Sequence, residues 1–79
     1  IFLIYPNPAS GIIHLKGAIG ESAYARVTIT DLNGRIVYRK QLHQKQFNEV
    51  IDLQDLSDGT YILNYQLKDK TYVRKIILK

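Results

Sequence analysis

Residues 60–67, with the sequence Thr-Tyr-Ile-Leu-Asn-Tyr-Gln-Leu, carry the clearest β-strand pattern in this chain. The apolar and aromatic side chains occupy every second position, at Tyr61, Leu63, Tyr65 and Leu67. Successive side chains of a strand point to opposite faces of a sheet, so one face of this segment is expected in a core and the other in water. No window of the chain carries a helical stripe of apolar residues. The pattern therefore indicates an all-β fold.

The rest of the chain extends this interpretation. Strands are also predicted over residues 2–5, 11–16, 25–30, 35–38, 49–53 and 71–78. Asn33-Gly34 predicts a hairpin between two of them, because both residues tolerate positive φ, and a tight turn is expected at residues 68–70. Short strands at this spacing predict a seven-stranded antiparallel immunoglobulin-like β-sandwich. The last strand is apolar on both alternating sets, so its pattern leaves open which face is buried.

A short motif at the start of the 60–67 strand supports the sandwich. Asp58, Gly59 and Tyr61 lead into Leu63, two residues beyond the tyrosine. In immunoglobulin-like sandwiches, a tyrosine at this point bonds back to the preceding corner, two residues before a core position. An ordinary buried tyrosine is the alternative interpretation of Tyr61.

Length and composition limit the number of domains and the classes of protein that this chain can represent. A chain of 79 residues suits one domain, 1–79, and it has no cysteine to supply disulfides. It has no methionine, and its apolar opening is broken at Pro6 and Pro8, too early for a signal peptide or a membrane span. We expect a domain excised from a longer protein, and a mature chain after processing is the alternative.

The positive charge is concentrated at one end. Five cations and one anion follow residue 67, so that segment holds the whole net charge of +4. The cations are Lys68, Lys70, Arg74, Lys75 and Lys79. A nucleic-acid footprint spreads its cations over a face, so no nucleic-acid partner is expected. Two interpretations remain: lysines that block a solvated edge strand, or a recognition surface that uses the same charges.

Residues that could carry catalysis or bind a cofactor are sparse. His14 and His43 lie far apart in sequence and have no cysteine to complete a zinc site. Ser10, Ser22 and Ser57 lie outside any nucleophile motif. No glycine-rich phosphate loop is present. We expect no catalytic residue, no metal ligand and no cofactor.

The acidic segment from Asp52 to Asp58 invites a calcium interpretation. Its carboxylates fall at every third residue, with Leu53 and Leu56 between them, whereas a calcium loop needs oxygens at every second position. The spacing favours a wide turn whose leucines point inward and whose aspartates cap backbone amides.

Four motifs in order resemble one known family. They are Tyr5-Pro6-Asn7-Pro8-Ala9, the block 27–37 around Asn33-Gly34, the segment 51–61 ending in Asp58-Gly59-Thr60-Tyr61, and the basic, apolar last strand. In this order and spacing, the chain resembles the type A C-terminal sorting domain of type IX secretion substrates over nearly its whole length.

The resemblance implies a function and a set of partners. Such a domain is covalently continuous with an N-terminal cargo and crosses the periplasm of a Gram-negative bacterium. It directs the folded cargo through an outer-membrane translocon to the cell surface or medium. Its partners are the translocon and the outer-membrane shuttle and sortase proteins. The sortase removes the domain at or before its start, so the domain is a substrate and not an enzyme, with no span of its own in the membrane.

We expect the last hairpin to carry the signal and the rest to present it. The recognition residues are Lys68, Lys70, Arg74, Lys75, Ile76, Ile77, Leu78 and Lys79. The structural motif residues are Tyr5, Pro6, Asn7, Pro8, Asn33, Gly34, Asp58, Gly59 and Tyr61. An exposed edge on the last strand is expected to pair with a partner strand. The alternative function is an accessory β-sandwich of an extracellular enzyme that binds carbohydrate or another surface ligand, for which the tyrosines could supply stacking faces.

Overall fold

The structure, a computed structural model, describes residues 2–79 and is built from β-strands. The strands are β1 (Phe2–Tyr5), β2 (Ile12–Ala18), β3 (Ala25–Thr30), β4 (Ile36–Leu42), β5 (Gln46–Asp52), β6 (Gly59–Gln66) and β7 (Thr71–Leu78). Every predicted strand is present. Within residues 2–79 there is no helix that could cross a membrane.

The strands form two antiparallel sheets. One sheet has the order β1-β2-β5 and the other the order β4-β3-β6-β7. In immunoglobulin lettering, β1, β2 and β5 correspond to strands A, B and E, and β3, β6 and β7 to strands C, F and G. The strand β4 lies beside β3 in the four-stranded sheet. The predicted immunoglobulin-like β-sandwich is confirmed.

The core lies between the two sheets and is made by alternate residues of nearly every strand. Its largest fully buried side chains include Tyr65, Ile13, Leu15, Ile19, Ile29, Ile51, Leu63 and Ile76. The ring of Phe2 lies 4.5 Å from that of Tyr65, and Phe47 lies 5.9 Å from it on another side. Burial of such side chains contributes about 1.5–3 kcal/mol each, so this layer is the main source of stability.

Three strands extend beyond their predicted ends. The strand β2 continues to Ala18, beyond its predicted end at residue 16, and β5 begins at Gln46, where it pairs with Ala18. The strand β4 runs on through polar residues to the buried Leu42. Backbone hydrogen bonds to the neighbouring strand extend these strands, and a prediction based on apolar alternation does not detect such pairing.

The predicted Asn33-Gly34 hairpin is present, with positive φ at Gly34 alone, where φ is 86°. The carboxylate Oδ1 of Asp31 accepts hydrogen bonds from the backbone amides of Asn33 and Arg35, both at 2.9 Å. The register then shifts by one residue in β4. A turn followed by one left-handed glycine and a bulge is the usual three-residue hairpin connection, which explains why Asn33 keeps an ordinary φ.

Candidate recognition strand

The strand β7 divides its residues cleanly between the core and the surface. Ile76 and Leu78 are 0% and 3% exposed, whereas Val73 is 53% exposed and Lys75 is also exposed. The even-numbered side chains of β7 therefore point to the core, which answers the question that the apolar pattern left open. The odd-numbered side chains form its outward face.

The predicted recognition cations do not form one cluster. Lys68 and Lys70 lie at the turn before β7, where the amide of Leu67 donates a 2.7 Å hydrogen bond to the carbonyl of Lys70. Lys79 lies just beyond the other end of the strand. An eight-residue strand rises by about 25 Å, so these charges mark opposite ends of one surface.

Arg74 differs from the other cations because it packs against aromatic rings. Its guanidinium carbon lies 4.9 Å from the ring centre of Phe2 and 6.0 Å from that of Tyr72. It also donates a 3.0 Å hydrogen bond to the carbonyl of Val73. The guanidinium covers the margin of the core, a packing role that an exposed lysine does not have.

The side chain of Asn7 covers part of the outer edge of β7. Its Nδ2 donates to the carbonyl of Lys75 at 2.8 Å, and its Oδ1 accepts from the amide of Ile77 at 3.0 Å. A side-chain amide carries one acceptor and a donor group, so it can take the place of a strand residue at a sheet edge. Asn7 thereby caps the edge with its side chain.

Ala9 continues the same cover through its backbone. Its amide donates to the carbonyl of Ile77 at 2.8 Å, and its carbonyl accepts from the amide of Lys79 at 2.9 Å. This is a parallel bridge, and the side chain of Ala9 is buried. The prediction of an exposed edge is therefore wrong for residues 75–79. The reason is a long-range contact between the proline motif and the last strand, which no local pattern reveals.

The tyrosine corner is present at the start of β6. The hydroxyl of Tyr61 donates a 2.7 Å hydrogen bond to the carbonyl of Ser57, four residues upstream. Leu63 is fully buried, and Gly59 has a φ of 152°. The prediction from Asp58, Gly59 and Tyr61 is confirmed, and the corner holds the segment that enters the central strand β6.

A family model described as "Secretion system C-terminal sorting domain" matches residues 3–79. The chain belongs to this family of type IX secretion sorting domains. A search of curated proteins found no match. Membership implies a role with the type IX secretion machinery and a cargo, and export through the cell envelope to the surface or the extracellular space.

The two ion pairs of the sorting domain within residues 2–79 lie away from β7. Asp31 pairs with Arg35, and backbone hydrogen bonds from Arg35 and Asn33 lower the pKa of the Asp31 carboxyl. Lys40 bonds to Glu49 at 2.5 Å, and this hydrogen bond raises the pKa of the Lys40 ammonium. Both ion pairs thus use cations that lie before the last hairpin, and within residues 2–79 neither pair involves a lysine of that hairpin.

The two histidines and the acidic segment make contacts within the domain and form no metal site among the described residues. His14 stacks on Tyr5 with ring centres 5.0 Å apart, while His43 lies beside Tyr24. Within residues 2–79, no three metal-binding side chains come together. Asp52 accepts a hydrogen bond from the amide of Gln54, so the acidic segment has an aspartate-capped turn as predicted.

The aromatic side chains do not share one stacking surface. Phe2, Phe47, Tyr65 and Tyr72 pack together in or beside the core. Two other tyrosines contact histidines at separate places: Tyr5 stacks on His14, and Tyr24 lies beside His43. The arrangement gives no specific support to the carbohydrate-binding alternative.

Proposed function

We propose that this sorting domain is the address of a larger exported protein. It is covalently continuous with an N-terminal cargo, and it directs that folded cargo from the periplasm through the outer-membrane translocon. It is itself a substrate of the sortase and supplies no catalytic residue. Its recognition element is the outward side of the last hairpin, from Lys68 to Lys79.

The division of β7 into a core face and an outward face carries this proposal. Ile76 and Leu78 anchor the strand in the core, so Val73, Lys75 and Ile77 are held in fixed positions on the surface. A label that is read on a folded cargo needs such rigid presentation, since ordering a flexible segment during binding would cost affinity.

The contacts of Asn7 and Ala9 with the β7 edge limit how a partner can bind this strand. The backbone of Ile77 already bonds to Asn7 and Ala9 on its outer side. A partner therefore reads the side chains of β7 and the exposed turn lysines, and it does not need to add a strand to residues 75–79. Charge complementarity with an acidic partner surface supplies specificity and fast association.

An export assay tests the proposal. Residues 1–79 are fused to a fluorescent reporter that carries a periplasmic signal, in a bacterium with type IX secretion. We expect the reporter at the surface or in the medium. The double variant Lys75→Glu/Lys79→Glu reverses two exposed charges with little change in buried area, so export should fall by about fivefold or more.

The matched control is Lys16→Glu/Lys45→Glu, which makes the same change in net charge at exposed positions outside β7. We expect its export within about twofold of the parent. A parent fusion that stays in the periplasm would contradict the sorting function. Equal export of all the variants would show that the charges of the last strand are not the signal. Retention of residues 1–79 on a surface-attached reporter would contradict the sortase step.

A further inference from the structure

The four-stranded sheet turns one face away from the core, and the charged side chains on that face are all cations. Alternate residues of β3, β4, β6 and β7 point outward, among them Arg26, Arg39 and Lys75. Within residues 2–79, the strands of this sheet place no Asp or Glu on that face. The face includes the outward side of the proposed recognition strand but extends over three more strands.

The strand register places these cations around a neutral centre. Thr28 pairs with Arg39 on one side and with Asn64 on the other, and Asn64 pairs with Val73. Arg39 and Lys75 lie on the two outer strands, three strand spacings apart, which is about 14 Å. Hydroxyl, amide and β-branched side chains fill the space between them.

The acidic side chains are held elsewhere. Asp31 pairs with Arg35 in the β3–β4 turn, and Glu49 reaches Lys40 from the other sheet. Asp52 at the end of β5, together with Asp55 and Asp58, belongs to the segment before the tyrosine corner. The other two acids, Glu21 and Asp69, lie in loops at the ends of strands. The positive field of the outward face therefore has no opposing charge from its own strands.

One corner of the face has a shallow cleft that could take a carboxylate. The cleft is lined by Arg26, Arg39, Lys40 and Gln41. The ring of Tyr24 lies 5.7 Å from the guanidinium carbon of Arg26 and helps to hold that group in place. Two guanidiniums on neighbouring strands can each make paired hydrogen bonds with a carboxylate.

We propose that this whole face docks onto a flat, carboxylate-bearing surface of a folded protein of the secretion machinery. This inference rests on the proposed sorting function and widens its recognition element from β7 to the four-stranded sheet. Arginine at the margin and an apolar and amide centre are features of protein interfaces. Widely spaced cations suit a protein surface better than a polyanionic glycan, whose dense charge favours clustered cations.

The size of the face suggests a transient complex. Four strands at about 4.8 Å spacing and about five residues of length give a footprint of roughly 300 Å². Stable interfaces bury about 800 Å² on each partner, so a face of this size forms a weak complex by itself. Weak binding suits an address that must be released after transport.

Export of charge variants tests the wider face. In the reporter fusion, Arg26→Glu/Arg39→Glu reverses two cations that lie on β3 and β4, remote from the chain end. We expect export to fall by about fivefold or more, while Lys16→Glu/Lys45→Glu stays within about twofold of the parent. Thermal unfolding of each purified domain checks that the variants remain folded.

Crosslinking in the living cell identifies the kind of partner. A photoreactive phenylalanine analogue replaces Asn64 at the centre of the face or, as a matched control, Asn48 on the outward side of the other sheet. We expect one discrete protein adduct from position 64 that disappears with Arg26→Glu/Arg39→Glu, and none from position 48.

The outcomes separate this inference from the sorting function. Normal export of Arg26→Glu/Arg39→Glu, with export lost in Lys75→Glu/Lys79→Glu, would retain the sorting function and reject the wider face. An adduct to lipopolysaccharide in place of protein, equal adducts from both positions, or no adduct during active export would also reject it. A parent fusion that is not exported would reject both proposals.

Discussion

At the scale of single residues, the hydroxyl of Tyr61 is a contact that can be removed with little other change. It donates to the carbonyl of Ser57, while the ring itself is buried. Tyr61→Phe should lower the free energy of unfolding by about 0.5–1.5 kcal/mol, the net value of one such bond. Urea unfolding of the purified domain measures this. Tyr24→Phe, at a ring 39% exposed, is the control and should be nearly neutral. Equal values for the two variants would show that the corner bond contributes nothing.

Asp31 shows how a half-buried residue of a surface turn can hold several contacts at once. Its Oδ1 accepts from two amides across the turn, and Oδ2 lies 3.3 Å from Nε of Arg35. These contacts favour the charged carboxylate, so its folded-state pKa lies below its ordinary value of 3.8. The stabilisation from this group is present above that ordinary value and is lost as the pH falls through the lower, folded-state pKa.

At the scale of elements, the segment from Tyr5 to Ala9 acts as a cover for β7. Asn7 and Ala9 each make two hydrogen bonds to it. Asn7→Ala removes both side-chain bonds and should lower the free energy of unfolding by about 1–2 kcal/mol. The amide of Ile77 should also exchange with solvent faster, because it loses its acceptor. Urea unfolding and amide hydrogen exchange measure the two effects.

The control for this variant is Asn48→Ala, at an exposed asparagine on the outward side of β5. It should be nearly neutral in stability and should leave the exchange of Ile77 unchanged. Slow exchange of the Ile77 amide in Asn7→Ala would mean that the cover does not depend on the asparagine side chain.

The strands were predictable from the sequence, whereas the cover and the outward face were not. Alternation in residues 60–67 reports burial directly, and the glycine turns require φ values that other residues rarely adopt. The contact between Asn7 and Ile77 joins residues 70 apart, and no local signal encodes it. Counting charge along the chain also hid Arg26 and Arg39, because only the strand register shows that they share a face with Lys75.

At the scale of the whole molecule, the last strand carries the proposed recognition residues and also contributes side chains to the core. Ile76 and Leu78 are almost fully buried, and the backbone of Ile77 and Lys79 bonds to Ala9. Truncating a buried leucine or isoleucine to alanine costs about 2–5 kcal/mol. A domain of this size has a total stability of about 4–12 kcal/mol. The last residues thus contribute a large share of the whole.

Deletion of Ile76 to Lys79 should therefore unfold the sandwich and abolish export at the same time. Loss of two core side chains and of the Ala9 bridge removes roughly 5 kcal/mol or more, which is comparable with the total. Circular dichroism should show loss of β structure at 25 °C. Lys75→Glu/Lys79→Glu should keep its free energy of unfolding within about 0.5 kcal/mol of the parent, since both side chains are exposed. A deletion variant that unfolds cooperatively at the parent's midpoint would refute the core role of the strand end. Only the charge variants then test recognition separately from folding, because the truncation unfolds the sandwich and removes the recognition residues at the same time.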